Sequence, residues 1–304
     1  MGAAAGGTGI FLPHLGSPQR TIGGRVFDFS RQVAVMAIVN RTPDSFHDKG
    51  KTFGLAEAID AVDKVVSEGA DWVDIGGTPF APGPDVTVEE ELDRVIPVVE
   101  ETARRNPHIV ISVDTYRPEV ARRSIAAGAS VINDTSGLHD SAMAEVVADS
   151  DATLTIVHTL ATPRTVFARP SYHDVTVEVA DFLRQRVDLA VKIGVPPERI
   201  IIDPGHDLNK NTYHTLELTR RLNEITAIGY PTLVAVSNKD FIGETLDLAQ
   251  DQRLEGSLAA VVFCIVQGAR IVRMHDVRAA VSAVRLTEAI LGFRPPATAR
   301  HNVV

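Results

Sequence analysis

Eight times along this chain a β-branched, apolar run ends in a polar residue, and the polar residue changes each time. The runs begin at Val33, Trp72, Ile109, Ser130, Thr153, Arg199, Thr232 and Arg270. They lead in turn to Asn40, Asp74, Asp114, Asn133 with Asp134, His158, Asp203, Lys239, and Arg273 with His275. Near-continuous Val and Ile without strict alternation suits parallel strands covered on the outside by helices. A polar group at each C-terminal strand end is how an α/β protein of the (β/α)8 TIM-barrel class gathers one site from its βα loops. The sequence therefore predicts a single-domain barrel with its chemistry at one mouth.

Amphipathic stretches separate the runs: Leu55 to Ser67, Thr87 to Arg105, Pro118 to Ala127, Ser141 to Asp149, His173 to Ile193, Thr212 to Ala227, Phe241 to Gln267 and Arg278 to Leu291. The seventh is expected to break near Gly256. Thr87 stands three residues before Glu90, the spacing of a capping box. Gly69, Gly128, Gly194, Gly229 and Gly268 follow helical stretches as C-terminal punctuation. Alternating strand and helix, repeated without a linker, leaves a closed barrel as the simplest solution. The expected organisation is a flexible arm over 1–22, a barrel over 23–294 and a tail over 295–304.

A net charge of −9 and the lack of any basic run argue against nucleic-acid and anionic-membrane binding, which need clustered Lys and Arg. No apolar stretch reaches the roughly 18 residues that suggest a membrane span. The N-terminal MGAAAGGTGIFLPHLG lacks the cationic and apolar regions of a secretory signal. Cys264 is the only cysteine, so no disulfide can form within the chain, and its apolar neighbours make it a packing residue. A reducing, cytoplasmic setting is expected.

The segment NRTPDSF from Asn40 closely resembles the first loop of dihydropteroate synthases. The likeness continues in order through DIGG from Asp74, SVDT from Ser112, INDTSG from Ile132, DPG from Asp203, the Ser237-x-Lys239 pair, FIG from Phe241 and RMHDV from Arg273. Ordered motifs carry far more weight than a single short one. The resemblance implies a transferase barrel in which the amine of para-aminobenzoate attacks the methylene carbon of a pterin diphosphate and diphosphate leaves. Cations and donors at the leaving group then stabilise the transition state more than the ground state.

By the same resemblance, Asp114, Asn133 and Asp203 accept hydrogen bonds from the pterin edge and Lys239 contacts its ring. Carboxylates suit the guanidine-like edge of that ring. Asn40, Arg273 and His275 form the diphosphate site, and Lys239, Arg273 and His275 are the catalytic equivalents. Mg2+ is expected between Asn40 and phosphate oxygens, as a cation that keeps several waters needs few protein ligands. A strand-end capping carboxylate is the alternative for Asp114 and Asp203. His158 fits core packing and ligand contact equally, while His206 and His214 read as loop or surface histidines. A homodimer is also implied.

The departures gather on the second substrate. After DIGG the family usually carries Glu-Ser-Thr-Arg-Pro-Gly, whereas this chain has Thr78, Pro79, Phe80, Ala81, Pro82 and Gly83. Ala81 offers neither charge nor side-chain donors where an arginine is expected. Beyond Gly205, the usual Ile-Gly-Phe-Gly-Lys is His206, Asp207, Leu208, Asn209, Lys210, so an aromatic face is lost and two glycines are replaced. The Ser-Arg-Lys-Ser run has become Ser237, Asn238, Lys239, Asp240. In the family the last serine, at a helix start, receives the aminobenzoate carboxylate; Asp240 would place a negative charge there.

These changes predict a homologue that keeps a pterin-diphosphate site but has weak or absent synthase activity. An active synthase would need compensating cations, for which Lys49, Lys51 and Lys210 are candidates. A pterin-binding regulatory protein is a further alternative. Methyltransferases with related barrels leave the diphosphate motifs unexplained.

Overall fold

The computed structural model describes residues 11–41, 54–167 and 169–301. Lys49, Lys51 and the rest of NRTPDSF after Arg41 lie outside the described residues. Eight parallel strands make the barrel: β3 (Ala34–Asn40), β4 (Trp72–Gly76), β5 (Val110–Asp114), β6 (Val131–Asp134), β7 (Thr153–Val157), β8 (Ile200–Asp203), β9 (Leu233–Val234) and β10 (Ile271–Met274). They run in the order β8-β7-β6-β5-β4-β3-β10-β9, and a parallel bridge between Ile202 and Thr232 joins the two outer strands.

An antiparallel hairpin of β1 (Gln19–Ile22) and β2 (Arg25–Asp28) precedes the barrel. The arm expected over 1–22 therefore ends early, because Ile22, Phe27 and Phe29 bury themselves against Met36, Trp72 and Val110 inside the barrel. Phe27 stacks on Phe29 at 5.7 Å and meets the edge of Trp72 at 5.6 Å. Two buried arginines at the strand starts are satisfied by main-chain oxygens: Arg20 donates to Ile200 and Arg270 to Phe29 and Ala269. The hairpin thus closes the end opposite the βα loops.

The helices are α1 (Leu55–Ser67), α2 (Val88–Arg105), α3 (Pro118–Ala127), α4 (Ala142–Ala148), α5 (Val175–Ile193), α6 (Thr212–Arg220), α7 (Leu222–Thr226), α8 (Asp240–Leu246), α9 (Leu254–Val266) and α10 (Val277–Ile290). Thr87 and Glu90 form the capping box that their spacing predicts. The stretch from Thr212 divides at Arg221, whose guanidinium is held by Asp174, Glu217 and Glu224. The break expected near Gly256 lies instead between Leu246 and Leu254, where Asp247 turns left-handed. Gly256 sits inside α9 because a Cβ there would overlap Ile242 of α8.

Alternation within each strand divides the apolar residues into two cores. Val35, Val73, Ile111, Ile132, Leu154 and Val272 face the helices. Trp72, Val110, Val131, Ile201 and Ile271 face inward over the hairpin. Cys264 is fully buried among the helices, and burial pushes its thiol up to about 12. Truncation of Phe27 to Ala should leave a cavity beneath Trp72 and cost about 3–5 kcal/mol. Denaturant unfolding followed by Trp72 fluorescence measures this loss.

Candidate functional site

On five of the strands, the residue two beyond the inward apolar one on the same face is polar. Trp72 gives way to Asp74, Val110 to Ser112, Val131 to Asn133, Ile201 to Asp203 and Ile271 to Arg273. Strand register then sets these groups side by side, with Asp74 opposite Ser112 and Asp114 opposite Asn133. The polar layer rests directly on the apolar floor.

Arg273 holds this layer together. Its Nε donates to Asp74 Oδ2 at 2.6 Å, and its Nη2 donates to Asp114 Oδ2 at 3.3 Å. Asp74 is fully buried and also accepts hydrogen bonds from Ser112 Oγ and Asn133 Nδ2. A buried pair of this kind survives only when its remaining lone pairs are satisfied, as they are here. Thr135 Oγ1 donates to Asp114 at 3.2 Å, and the Gly205 amide donates to Asp203 at 2.7 Å.

Asn133 Oδ1 and Thr155 Oγ1 are buried without a hydrogen-bond partner among the described residues. They are neighbours across the β6–β7 register. An amide oxygen left open beside buried carboxylates is a place for a donor-rich ligand. Burial pushes the Asp114 carboxyl up to about 7, with Arg273 opposing and Asp74 reinforcing the rise. Burial likewise raises Asp203 to about 6 against the Gly205 amide and Lys239. The Lys239 ammonium is shifted down by burial, opposed mainly by Asp207.

Asn40 ends β3 and His275 follows β10, the strand beside it that also carries Arg273. A Cβ at Gly76 would stand only 3.1 Å from Asn40 Oδ1, so glycine leaves the amide its space. Ser237 Oγ accepts the His275 amide at 3.2 Å and lies 3.0 Å from its Nδ1. The structure therefore brings Asn40, Asp114, Asn133, Asp203, Lys239, Arg273 and His275 to one end of the barrel, as strand-end positions predict. Among the described residues no group of three or more His, Cys, Asp or Glu could hold a metal by itself.

The divergent loops are tied to one another. The Arg164 amide donates to Phe80 O at 2.9 Å, and its guanidinium donates to the carbonyls of Pro79, Ala81 and Pro84. Asn209 Oδ1 accepts from Thr159 Oγ1, Leu160 N and Ala161 N, and Tyr172 donates to the Asn209 carbonyl. Asp207 and Asn209 adopt φ of 63° and 49°, so they keep the left-handed backbone that the replaced glycines would supply. Asp and Asn tolerate that region better than other side chains. Leu208 is half-buried between them.

Asp240 puts a negative charge in the first turn of α8, as its position predicts, but its side chain is exposed and already paired with a cation. Lys239 is the N-cap of α8, so Asp240 is its first residue; its side chain is 85% exposed and pairs with Arg253 at 3.0 Å. Arg253 also donates to the Asn238 carbonyl, and Asn238 takes a left-handed φ while its amide donates to Ser257 Oγ. A carboxylate that does accept from an α8 amide is that of Asp207, whose Oδ2 accepts from Phe241 N at 3.2 Å. Strand-end reasoning left Asp74 out of the binding set although it ends a run. The significance of Asp207 was invisible because its partners come from α6 and α8.

Lys210 turns inward rather than supplying a compensating cation. Its Nζ donates to the Gly205 and Leu208 carbonyls at 2.9 and 3.1 Å and lies 2.9 Å from His158 Nδ1. His158 is thus a loop anchor, buried edge-on against Phe182 and kept largely unprotonated by burial and Lys210. His214 caps α6 through the Asn211 amide. His206, read from sequence as a loop or surface residue, is buried because its loop folds down beside β7. Burial, then Lys210 and Lys239, lower it to about 3.

A closed parallel barrel whose strand ends gather buried carboxylates, an arginine and an unpaired amide oxygen at one mouth defines a class: a (β/α)8 barrel with a polar site at the C-terminal ends of its strands. Residues 36–275 match the family described as pterin binding enzyme. A Mycobacterium tuberculosis protein named inactive dihydropteroate synthase 2 is 46% identical over 267 residues, covering 86% of this chain and 84% of the relative. The dihydropteroate synthase of Escherichia coli is 40% identical over 261 residues, covering 86% and 92%. The solved dihydropteroate synthase of Xanthomonas albilineans with 4-aminobenzoic acid superposes with a TM-score of 0.83 at 38% identity, covering 90% of this chain and 98% of that one. The chain belongs to the pterin-binding enzyme family, as a dihydropteroate synthase homologue.

Burial lowers Lys210 from 10.5 to about 7. The unfolded chain therefore holds this proton more tightly, and the penalty is full below about pH 7 and fades as pH rises towards 10.5. Melting temperature should accordingly gain from this group on the alkaline side. Lys210→Met should flatten that limb, as differential scanning calorimetry across pH will show.

Proposed function

We propose that this chain binds a pterin diphosphate at the barrel mouth and forms dihydropteroate weakly or not at all. The observation that carries the reading is Arg273 bridged to Asp74 and Asp114 beside the open oxygen of Asn133. In this reading Asp114, Asn133 and Asp203 accept from the pterin edge, and Lys239 meets the ring. Arg273 and His275 hold the diphosphate with Asn40. Arginine's fork of donors suits phosphate oxygens, although here part of it is already engaged by carboxylates.

Mg2+ fits this donor set. Asn40 offers one neutral oxygen, so most ligands would be phosphate oxygens and water, which is normal for this cation. When bound, it would offset negative charge on the diphosphate. The chain's own residues would orient the pterin and keep water from the buried carboxylates.

Weak turnover follows from the acceptor side. The family's arginine position is Ala81, the aromatic position is Leu208, and the loops bearing them are clamped by Arg164 and Asn209. Loops that must close around a second substrate need freedom that these contacts remove. The inactive naming of the mycobacterial relative supports the same reading.

The setting proposed is cytoplasmic and homodimeric. The buried lone thiol of Cys264 suits a reducing compartment. Among the described residues no helix is long and apolar enough to cross a membrane. Helices α9 and α10 pack together, yet Phe263 on the first and Leu286 and Ile290 on the second remain exposed. Light scattering should return twice the chain mass, and a monomer would reject the dimer.

Calorimetric titration with pterin diphosphate and Mg2+, followed by para-aminobenzoate and product analysis, tests the main reading. Pterin diphosphate should bind and dihydropteroate should be scarce. Because ionised carboxylates accept better, affinity should rise with pH through the values near 6 and 7 that Asp203 and Asp114 carry. Asp114→Asn should weaken binding roughly 10- to 150-fold and remove the upper part of that rise. Normal synthase turnover or absent pterin binding would defeat the proposal.

A further inference from the structure

Between the loops after β6 and β7 and the helix α5 lies a cavity of about 420 Å3, lined by none of the residues of the polar layer. Its volume falls within the roughly 300–1,000 Å3 of small-molecule sites. The walls are fixed before anything enters. Thr159 Oγ1 donates to Asn209 Oδ1 at 2.6 Å, and Phe182 meets His158 edge-on with ring centroids 4.8 Å apart. A Cβ at Gly137 would stand 2.8 Å from the Phe182 ring, so glycine is what lets the loop after β6 approach it.

The lining is lopsided in charge. Arg186 brings a cation, and no carboxylate lines the cavity among the described residues. Its guanidinium lies over the Phe182 ring, 5.0 Å from the centre, and makes no hydrogen bond or ion pair among the described residues. An arginine fixed by an aromatic ring and left without an acceptor presents a fork shaped for a carboxylate or phosphate. Leu160, 40% exposed, and Phe182 set apolar surface beside that fork, while His139 and Thr162 add polar atoms. A larger cavity of about 570 Å3 beside Arg31, Arg285 and Arg294 lacks this property, because Glu288 already pairs with two of those arginines.

We infer that the cavity beside α5 is a binding site for a small aromatic acid, its ring against Leu160 and Phe182 and its anionic head on Arg186. An inorganic anion would leave the apolar wall wet, and a neutral ring would leave the guanidinium without an acceptor. The site stands whether or not the barrel mouth takes a pterin, since the two share no lining residue.

Calorimetric titration of the full-length protein with naphthoate, naphthyl phosphate and the neutral naphthalenemethanol tests the site. At least one of the two anions should saturate below about 1 mM, and the alcohol should bind about tenfold or more weakly. The tighter anion identifies the head group. Arg186→Gln should weaken that anion about tenfold or more, as loss of a charge-assisted contact does. Leu160→Trp, which fills the cavity from a part-exposed position, should abolish binding, and scanning calorimetry shows that each variant is folded. Failure of both anions to saturate, equal binding of the alcohol, or anion binding that persists unchanged in either folded variant overturns the inference.

Discussion

The buried contact of Arg273 with Asp74 and Asp114 is the constraint around which this barrel is arranged. Removing the guanidinium would leave Asp74 buried without its cation, a change of the kind that costs about 3–5 kcal/mol. Ser112 and Asn133 complete the shell of Asp74, so four strands share one electrostatic commitment. Such a layer is costly to keep as a packing device, since well-fitted apolar groups stabilise at least as well. Its retention is best understood through what it presents: a fixed row of acceptors and a cation facing the mouth.

Across that mouth the chemistry differs. One half of the mouth is built from groups standing on strands, whereas the other is built from loops fastened to each other. Arg164 spans to the Pro79–Pro84 carbonyls, and Asn209 gathers three donors from the loop after β7. The Lys210 ammonium is engaged by two carbonyls of its own loop and by His158. In the proposed reading, binding competence and catalytic competence separate in physical terms: one needs a preformed surface and the other needs loops that move.

Much of this was legible in the chain. Eight apolar runs with polar endings specified the barrel, and period-two alternation carried Asp114, Asn133, Asp203 and Arg273 to the same face. Thr87 and Glu90 announced a helix start through local spacing alone. What escaped depends on partners remote in sequence. Asp240 looked hostile to an anion because Arg253, thirteen residues on, could not be seen to neutralise it. Asp207 looked like a backbone restriction, since nothing local shows that its carboxylate reaches Phe241, thirty-four residues away. Ile22 seemed part of a loose arm until the floor that Phe27 and Trp72 share was in view.

That floor has an evolutionary consequence. With β1 and β2 sealing one end and Phe27, Phe29 and Trp72 packed over it, the information that makes the chain fold is stored far from the rim. Rim residues can then drift, losing one reaction or acquiring another, while the scaffold beneath tolerates the experiment. A duplicated gene encoding such an architecture has latitude to explore new ligands before selection for foldability intervenes.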